Sequence, residues 1–182
     1  TSRDTLHSIL SVRRDLSEST LGLMKLLIAN QVKPDDCDDR SGETPLWLLC
    51  KNYAQGIYAN CDVFLAAVRM LLIPQTVNAA PKLKAPPLLL LLSSRNFYKT
   101  LYGKIQCDGE DDADDDGESE ETNLIFFLSV FLDNGYDVNL RDDKQQTALM
   151  KICRHCNARN LLDALDILLY AGANVTLVDH EG

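Results

Sequence analysis

Residues 146–175 decide the fold that this sequence predicts. The segment opens with Gln146-Thr147-Ala148-Leu149 and closes with Leu168-Leu169-Tyr170-Ala171-Gly172-Ala173-Asn174-Val175. Between these ends, apolar residues recur at helical spacing: Leu161, Leu162, Leu165, Leu168 and Leu169. This spacing predicts a helix with one buried face. We expect the helix to end at Gly172, because a glycine just past a helix tolerates the left-handed conformation that caps it.

The same pattern can be placed at three earlier points of the chain. In Gly42-Glu43-Thr44-Pro45-Leu46, Thr44 is a predicted helix N-cap and Pro45 stands at the first helical position. Equivalent positions at Asp4, Thr44, Pro86 and Thr147 give spacings of 40, 42 and 61 residues. The predicted caps of the second halves are Asn30 and Asn134-Gly135, together with Gly172.

These units resemble the ankyrin repeat, a pair of helices joined to the next pair by a hairpin finger. The resemblance implies an all-α, ankyrin-like helical solenoid of about four repeats. One domain would fill the chain, with repeats at approximately 1–38, 39–80, 81–141 and 142–178. Every unit exceeds the family's length of about 33 residues, so we expect the surplus between the two helices of a unit.

Two further expectations concern the shape of the chain. Pro74 stands where a helix cap should lead into the second finger, which predicts an irregular finger there. Residues 95–102 are rich in aromatic side chains, and we expect part of that segment to pack on the body. Because the chain begins and ends in mid-repeat, it is expected to be a fragment of a longer protein.

The net charge of −9 comes from one segment. Of the 27 acidic residues, ten lie between Asp108 and Glu121 with no basic residue among them, which leaves 17 acidic against 18 basic residues elsewhere. A like-charge block of this kind predicts a solvated, disordered acidic insertion at about residues 107–122. The alternative is an acidic loop that binds a basic tail. Neither interpretation favours direct nucleic acid binding, because phosphates require Lys and Arg.

Six cysteines raise the question of a metal, most clearly at Cys153-Arg154-His155-Cys156. Cys50 and Cys153 occupy equivalent places in their units, where the resemblance implies a small buried residue. Cys153 and Cys156 would supply only two of about four zinc ligands, and no second pair has the required spacing. We therefore predict no metal site and no cofactor, with thiols kept free in a reducing compartment.

Sequence motifs give no support for catalysis. The chain lacks a glycine-rich phosphate loop, a nucleophile elbow and the H-E-x-x-H pattern. No apolar run is long enough to cross a bilayer, and no signal peptide opens the chain. We expect a non-enzymatic protein of the cytoplasm or nucleus, without a membrane partner.

The resemblance implies a protein–protein interaction module, a scaffold or adaptor that binds a protein or peptide on its concave finger and inner-helix surface. In the second unit the implied contact residues are Arg40, Ser41, Glu43, Trp47, Lys51 and Asn52. In the last unit they are Asp143, Lys144, Gln146, Arg154 and His155. Trp47 has two interpretations, inter-repeat packing or a partly exposed anchor. Tyr53 and Tyr58 are weaker candidates beside this surface.

Two rival functions stay open at this point. The chain could be a non-catalytic accessory domain of a larger enzyme, such as a helicase, a kinase or a ubiquitin-ligase component. It could also bind a basic partner through the acidic insertion, in which case deletion of residues 108–121 should abolish binding. The sequence names neither the partner nor the oligomeric state.

Overall fold

A computed structural model describes residues 5–12, 16–58, 60–101, 121–155 and 158–181, without the side chains at positions 5, 12, 99–101, 121–123 and 158–160. The described residues form nine α-helices and no strand, so the all-α prediction is confirmed. In chain order the helices are α1 (Thr5–Val12), α2 (Glu18–Ala29), α3 (Pro45–Ala54), α4 (Cys61–Leu71), α5 (Pro87–Leu92), α6 (Arg95–Leu101), α7 (Glu121–Asp133), α8 (Ala148–His155) and α9 (Ala158–Tyr170).

Helix starts follow the predicted capping chemistry at α3. The hydroxyl oxygen of Thr44 accepts a hydrogen bond from the Trp47 backbone N–H at 3.2 Å, and Pro45 is the first helical residue. α5 begins in a related way, with Pro87 as its first residue but without a side-chain cap. α4 has a cap that was not predicted: Asn60 Oδ1 accepts two backbone hydrogen bonds at 3.0 and 3.1 Å. These caps satisfy donors that a helix start leaves unpaired.

Four helices, α2, α3, α7 and α9, end two residues before a residue with positive φ, which after α3 is Gly56 at 74°. Gly135 after α7 and Gly172 after α9 have φ values of 84° and 88°, as predicted. After α2, Asn30 is the C-cap as predicted, but the left-handed conformation expected at that residue falls one residue later, on Gln31 with φ 68°. Asn30 keeps φ −90° and its side chain donates to the Leu26 carbonyl at 2.7 Å, so it still belongs to the last helical turn. The chain reverses one residue later.

The end of α4 is different, as the proline in the next segment predicts. α4 stops at Leu71, and Leu72 is already extended. The hydroxyl of Thr76 donates to the Leu71 carbonyl at 2.7 Å and accepts from the Ile73 N–H at 3.1 Å. A side chain therefore replaces the left-handed backbone cap found after α2, α3, α7 and α9.

The helices make two sets of contacts. α1 packs on α3, α3 on α5 and α5 on α8, and we call these four the inner helices. α2 packs on α4, and α7 on α9. Within pairs, α1 contacts α2, α3 contacts α4 and α8 contacts α9. A cluster of buried apolar side chains extends from Leu6 in α1 to Leu168 in α9.

The surplus of the third unit contains an ordered helix. α6 places Phe97 in the interior with no exposed surface, and its ring meets Phe127 of α7 edge-on at 5.2 Å. Tyr98 is also buried. The expectation that residues 95–102 pack in part on the body is thus confirmed. The predicted acidic insertion at 107–122 lies outside the described residues, apart from Glu121 and Thr122, which open α7.

The aromatic side chains join the pairs across the interior. Phe64 of α4 stacks on Tyr53 of α3 with ring centroids 3.7 Å apart, and on Phe127 of α7 at 5.8 Å. Among the described residues, no helix has the length and apolar character needed to span a bilayer.

Two glycines with opposite surroundings test the backbone description. Gly22 lies inside α2, and an added Cβ would meet nothing within 4 Å. Gly56 has φ +74°, and an added Cβ would lie 2.9 Å from Asn96 Nδ2. We expect Gly22→Ala to raise the free energy of unfolding by about 0.5–1 kcal/mol. Gly56→Ala should lower it by about 1–2 kcal/mol. Urea denaturation of both variants measures the change in the free energy of unfolding. Changes of the same sign in the two variants would contradict the predictions.

Candidate functional site

Aspartates close the turns that lead into α3 and α8. Asp38 Oδ2 accepts a hydrogen bond from the Ser41 N–H at 2.7 Å, and Asp142 Oδ1 accepts one from the Gln146 N–H at 2.8 Å. Hydrogen bonds from the side chain and the backbone of Ser41 lower the pKa of Asp38. Both carboxylates thus shape turns, as aspartate commonly does at such positions.

An open groove of about 680 Å³ lies between the inner helices and the turn before α8, and we call it the inner groove. α3 contributes Trp47, Lys51 and Gln55 to its lining. α8 contributes Lys151, Arg154 and His155 on the opposite side. The loop before α5, the α5 helix itself and residues 142–146 complete the lining.

Trp47 holds one wall of the inner groove in place. Its side chain is only 3% exposed, and its indole N–H donates to the Ala85 carbonyl at 2.9 Å. The ammonium of Lys84 lies 4.6 Å from the ring centroid and that of Lys51 5.3 Å, within the range of cation–π attraction. The indole therefore attaches the loop before α5 to α3.

Two lysines share one carboxylate at this wall. Glu43 Oε1 accepts from Lys84 Nζ at 2.9 Å and from Lys51 Nζ at 3.4 Å. The Glu43 side chain is 12% exposed, whereas the lysines are 42% and 34% exposed. One carboxylate offsets only one of the two positive charges, so this wall keeps an excess of positive charge facing solvent.

The opposite wall rests on a buried ion pair. Lys151 Nζ lies 2.6 Å from Asp142 Oδ2, and the two side chains are only 5% and 3% exposed. The same ammonium donates to Ser93 Oγ at 2.7 Å. Lys151 thereby joins α8 to its preceding turn and to the end of α5. A buried charge needs such partners, because its desolvation is costly.

His155 lies in positive surroundings at the end of α8. Burial, followed by the charges of Lys151, Arg154 and Arg95, holds its pKa below the ordinary value of 6.5. Its ring lies 5.9 Å from that of Tyr98. These surroundings favour the neutral form of His155.

Arg154 has more distant partners than Lys151. Its guanidinium lies 3.6 Å from Asp179 and 4.0 Å from Glu181, and the side chain is 51% exposed. Exposed pairs of this length contribute little stability and can exchange partners. The Arg154 head group therefore stays accessible at the rim.

The structure brings most of the predicted contact residues together. Of the eleven, seven line the inner groove: Trp47, Lys51, Asp143, Lys144, Gln146, Arg154 and His155. Arg40, Ser41 and Glu43 lie on the turn before α3, where Glu43 supports the groove lysines. Asn52 is on α3 but points into the interior.

Three of these residues are buried, and their predicted role as partner contacts is corrected. Trp47, Asn52 and Gln146 are 3%, 8% and 7% exposed. Of the two interpretations of Trp47, packing is confirmed and the exposed anchor is wrong, because the indole lies against the loop before α5. Asn52 Nδ2 donates to the Leu10 carbonyl at 3.0 Å, which satisfies an acceptor at the end of α1. Gln146 Nε2 donates to Asp179 Oδ2 at 3.0 Å, which links two successive turns. The side-chain amides of Asn52 and Gln146 are therefore used in hydrogen bonds within the chain.

The two tyrosines beside the predicted surface are likewise interior residues. Tyr53 belongs to α3 and is 1% exposed, and Tyr58 is 4% exposed. The hydroxyl of Tyr58 donates to the Leu10 carbonyl at 2.9 Å. Both serve packing between α1, α3 and α4 rather than contact with solvent.

Sequence reasoning missed the part of the inner groove that comes from the third unit. Leu83, Lys84, Ala85 and Ser93 all line it. A signal was present: Leu83, Ala85 and Ser93 stand at the same offsets from Pro86 as Ser41, Glu43 and Lys51 do from Thr44. The unusual Pro86-Pro87-Leu88 motif concealed that correspondence.

The two equivalent cysteines differ. Cys50 is fully buried, as predicted, and burial raises the pKa of its thiol. Cys153 is exposed, so its predicted burial is wrong. α3 packs against α1, α4, α5 and α6, whereas α8 packs mainly on α5 and α9. No cluster of three or more His, Cys, Asp or Glu within the described ranges is arranged to hold a metal. Cys107 and Cys156 lie outside those ranges.

Replacing Lys151 should be far more damaging than replacing Lys51. Lys151→Met leaves Asp142 buried without its counter-charge, and we expect a loss of about 3–5 kcal/mol in the free energy of unfolding. Lys51→Met removes an exposed pair and should cost less than about 1 kcal/mol. Chemical denaturation compares the two variants, and similar losses would contradict the structural role given to Lys151.

The charges around His155 can be tested by proton titration. NMR should give a pKa below 6.5 for His155 in the folded chain. The folded state then binds fewer protons than the unfolded state, so this residue's contribution to stability is complete above pH 6.5 and is lost as the pH falls through the folded pKa. Arg154→Gln should raise the pKa, whereas Lys25→Gln on α2 should not. An unshifted titration would contradict the positive surroundings.

Comparison with known proteins supplies no relative from which a role could be transferred. No protein-family model matches the chain, and no curated protein matches it. The functional proposal therefore depends on the geometry and the charges of the inner groove.

Proposed function

We propose that the chain is an ankyrin-like helical solenoid whose inner groove binds a segment of a partner protein. The observation that carries this proposal is the convergence of five predicted contact residues that are not buried, Lys51, Asp143, Lys144, Arg154 and His155, on one groove of about 680 Å³. Four of them, Lys51, Lys144, Arg154 and His155, come from two units that are far apart in sequence. A scaffold that positions such side chains without performing chemistry is suited to recognition.

The contacts between successive helices support the solenoid. Each inner helix packs on the next inner helix in chain order, as expected when every repeat contacts its neighbours. The continuous apolar core has the same implication. The helix ends at Gln31, Gly135 and Gly172 repeat one backbone conformation, which supports equivalent units.

Two asparagines make the same contact across successive units. Asn78 donates to the Gly135 carbonyl at 2.9 Å and accepts from the Asp137 N–H at 3.0 Å. Asn139 donates to the Gly172 carbonyl at 3.2 Å and accepts from the Asn174 N–H at 2.8 Å. An identical pair of hydrogen bonds at two junctions favours a translational repeat of one structural unit.

The rival functions lead to different experiments. An accessory domain of a larger enzyme could use the same inner groove to position a substrate, and would differ only in what the rest of the protein does. An acidic-loop binder would depend on residues 108–121, which lie outside the described residues. We favour the inner groove because its side chains are placed by helices and by capped turns. We further propose a cytoplasmic or nuclear location, in keeping with the free thiols.

Filling the inner groove tests this function. Short random peptides displayed on phage are selected on the wild-type chain, and the recovered peptides are measured individually by fluorescence anisotropy. Gln55 is exposed at the end of α3 and lines the groove, so Gln55→Trp should obstruct it without removing a core contact. We expect the affinity to fall by at least tenfold, about 1.4 kcal/mol.

The matched control places the same bulky side chain on α2, which is not one of the inner helices. Lys25 is exposed on α2, so Lys25→Trp should leave peptide affinity unchanged. Thermal denaturation of both variants establishes that each is folded. Peptides that bind Gln55→Trp as well as wild type, or no recovered peptide at all, would overturn the inner groove as the binding site.

A further inference from the structure

We infer that the inner groove selects an acidic peptide segment, one that presents carboxylate side chains to the lysines of the groove and an apolar side chain to the rim at Leu83. This inference rests on the proposed function, because it specifies the chemistry of the partner at the same site. The acidic and partly apolar character of the bound segment is inferred from the charges and the exposed apolar surface of the groove residues.

The lining of the inner groove contains more basic than acidic side chains. Five basic side chains line the groove, and two aspartates accompany them: Lys51, Lys84, Lys144, Lys151 and Arg154, with Asp142 and Asp143. Asp142 is taken up by the buried pair with Lys151. Among the remaining lining side chains, Lys51, Lys84, Lys144 and Arg154 face one aspartate, Asp143. Three carboxylates beside the lining pair with three of these cations: Glu43 with the two lysines of its wall, and Asp179 and Glu181 with Arg154 at the longer distances of 3.6 and 4.0 Å.

Several of these cations are only partly neutralised by the fold. Lys51 and Lys84 divide the single carboxylate of Glu43 between them. Lys144 is exposed, and its ammonium has no ion-pair partner among the residues that the structure describes. A carboxylate entering the groove would therefore meet donors that the fold leaves incompletely neutralised. Charge complementarity of this kind determines specificity and association rate.

The rim of the inner groove also exposes an apolar side chain. Leu83 lines the groove with 97% of its surface exposed and holds a positive φ of 59°. A bulky residue in that conformation is uncommon and costs energy, and such strain is concentrated at functional positions. Leu90 and Ala85 line the same groove. These side chains offer apolar surface beside the lysines.

A neighbouring depression extends the inner groove from the ends of α3 and α5 to the start of α6. This depression of about 320 Å³ shares Lys51, Gln55 and Leu90 with the groove and adds Arg95. The charge of Arg95 is one of those that lower the pKa of His155, so the positive potential extends along this path. An extended segment that carries more than one acidic residue can thus find a cation at both ends.

A nucleic acid is the other polyanion to consider, and the observations favour a peptide. Outside residues 108–121 the chain has 18 basic against 17 acidic residues, so it presents no extended basic surface to attract a long polyphosphate. Nucleic acid affinity depends on neutralising several phosphates in a row, and here Glu43 and Asp143 interrupt the basic side chains. A short acidic segment contacts the lysines without extending far beyond them.

Charge reversal at neighbouring lysines provides the test. The phage-derived peptides should be enriched in Asp and Glu, and their affinity should fall by about tenfold in Lys84→Glu and fall with added salt. Lys82→Glu is the matched control, because Lys82 is exposed two residues away and does not line the groove. It makes the same change in net charge and should leave affinity unchanged.

Further variants separate specificity from folding. Lys144→Glu should weaken binding as Lys84→Glu does, and it removes no described side-chain contact, so it supports the inference even where Lys84→Glu disturbs Trp47. Leu83→Ala should weaken peptides that carry an apolar residue without affecting the thermal midpoint.

The outcomes are distinguishable. Peptides that Gln55→Trp blocks but that lack acidic residues, or that bind Lys84→Glu and Lys144→Glu normally, overturn the acidic preference and leave the proposed function standing. If Gln55→Trp leaves the affinity of every recovered peptide unchanged, both the proposed function and the acidic preference are overturned. A fluorescein-labelled single-stranded oligonucleotide is titrated in parallel, and binding tighter than that of the peptides and sensitive to Lys84→Glu would assign the groove to nucleic acid instead.

Discussion

The inner helices are too short to be stable alone, and their mutual burial is the constraint on which the rest of the structure depends. α1, α3, α5 and α8 have 8, 10, 6 and 8 residues. Isolated helices below about 12–15 residues are marginal in water. α5 is the extreme case: Leu88, Leu89, Leu91 and Leu92 have no exposed surface, because α3 and α8 cover it from either side. Each inner helix therefore exists because its neighbours do.

The same burial decides where the inner groove lies and how it is charged. Helix packing brings Lys51 of α3 and Lys84 of the loop before α5 to one carboxylate, that of Glu43. It also places Lys151 of α8 against Ser93 at the end of α5. The polar groups that hold the helices together consequently form part of the walls of the inner groove.

Much of the local structure was predictable from short-range chemistry. The Thr44 cap, the left-handed glycines at 135 and 172 and the packing of part of residues 95–102 each follow from a residue's own conformational preference or apolarity. The burial of Asn52 and the exposure of Cys153 were not predictable in this way. Asn52 is buried where its amide donates to the Leu10 carbonyl, 42 residues away in the chain. The exposure of Cys153 depends on which helices pack on α8.

By itself, the sequence determined that the chain forms helices, where several of them begin and end, and which polar positions lie near the turns. It could do so because caps, glycines and helical periodicity act within one or two turns of the chain. Tertiary structure alone decided that Trp47 and Gln146 turn inward and that Leu83 and Lys84 join the groove. Those outcomes depend on distant partners, the Ala85 carbonyl and Asp179 among them, whose proximity arises only when the helices have packed.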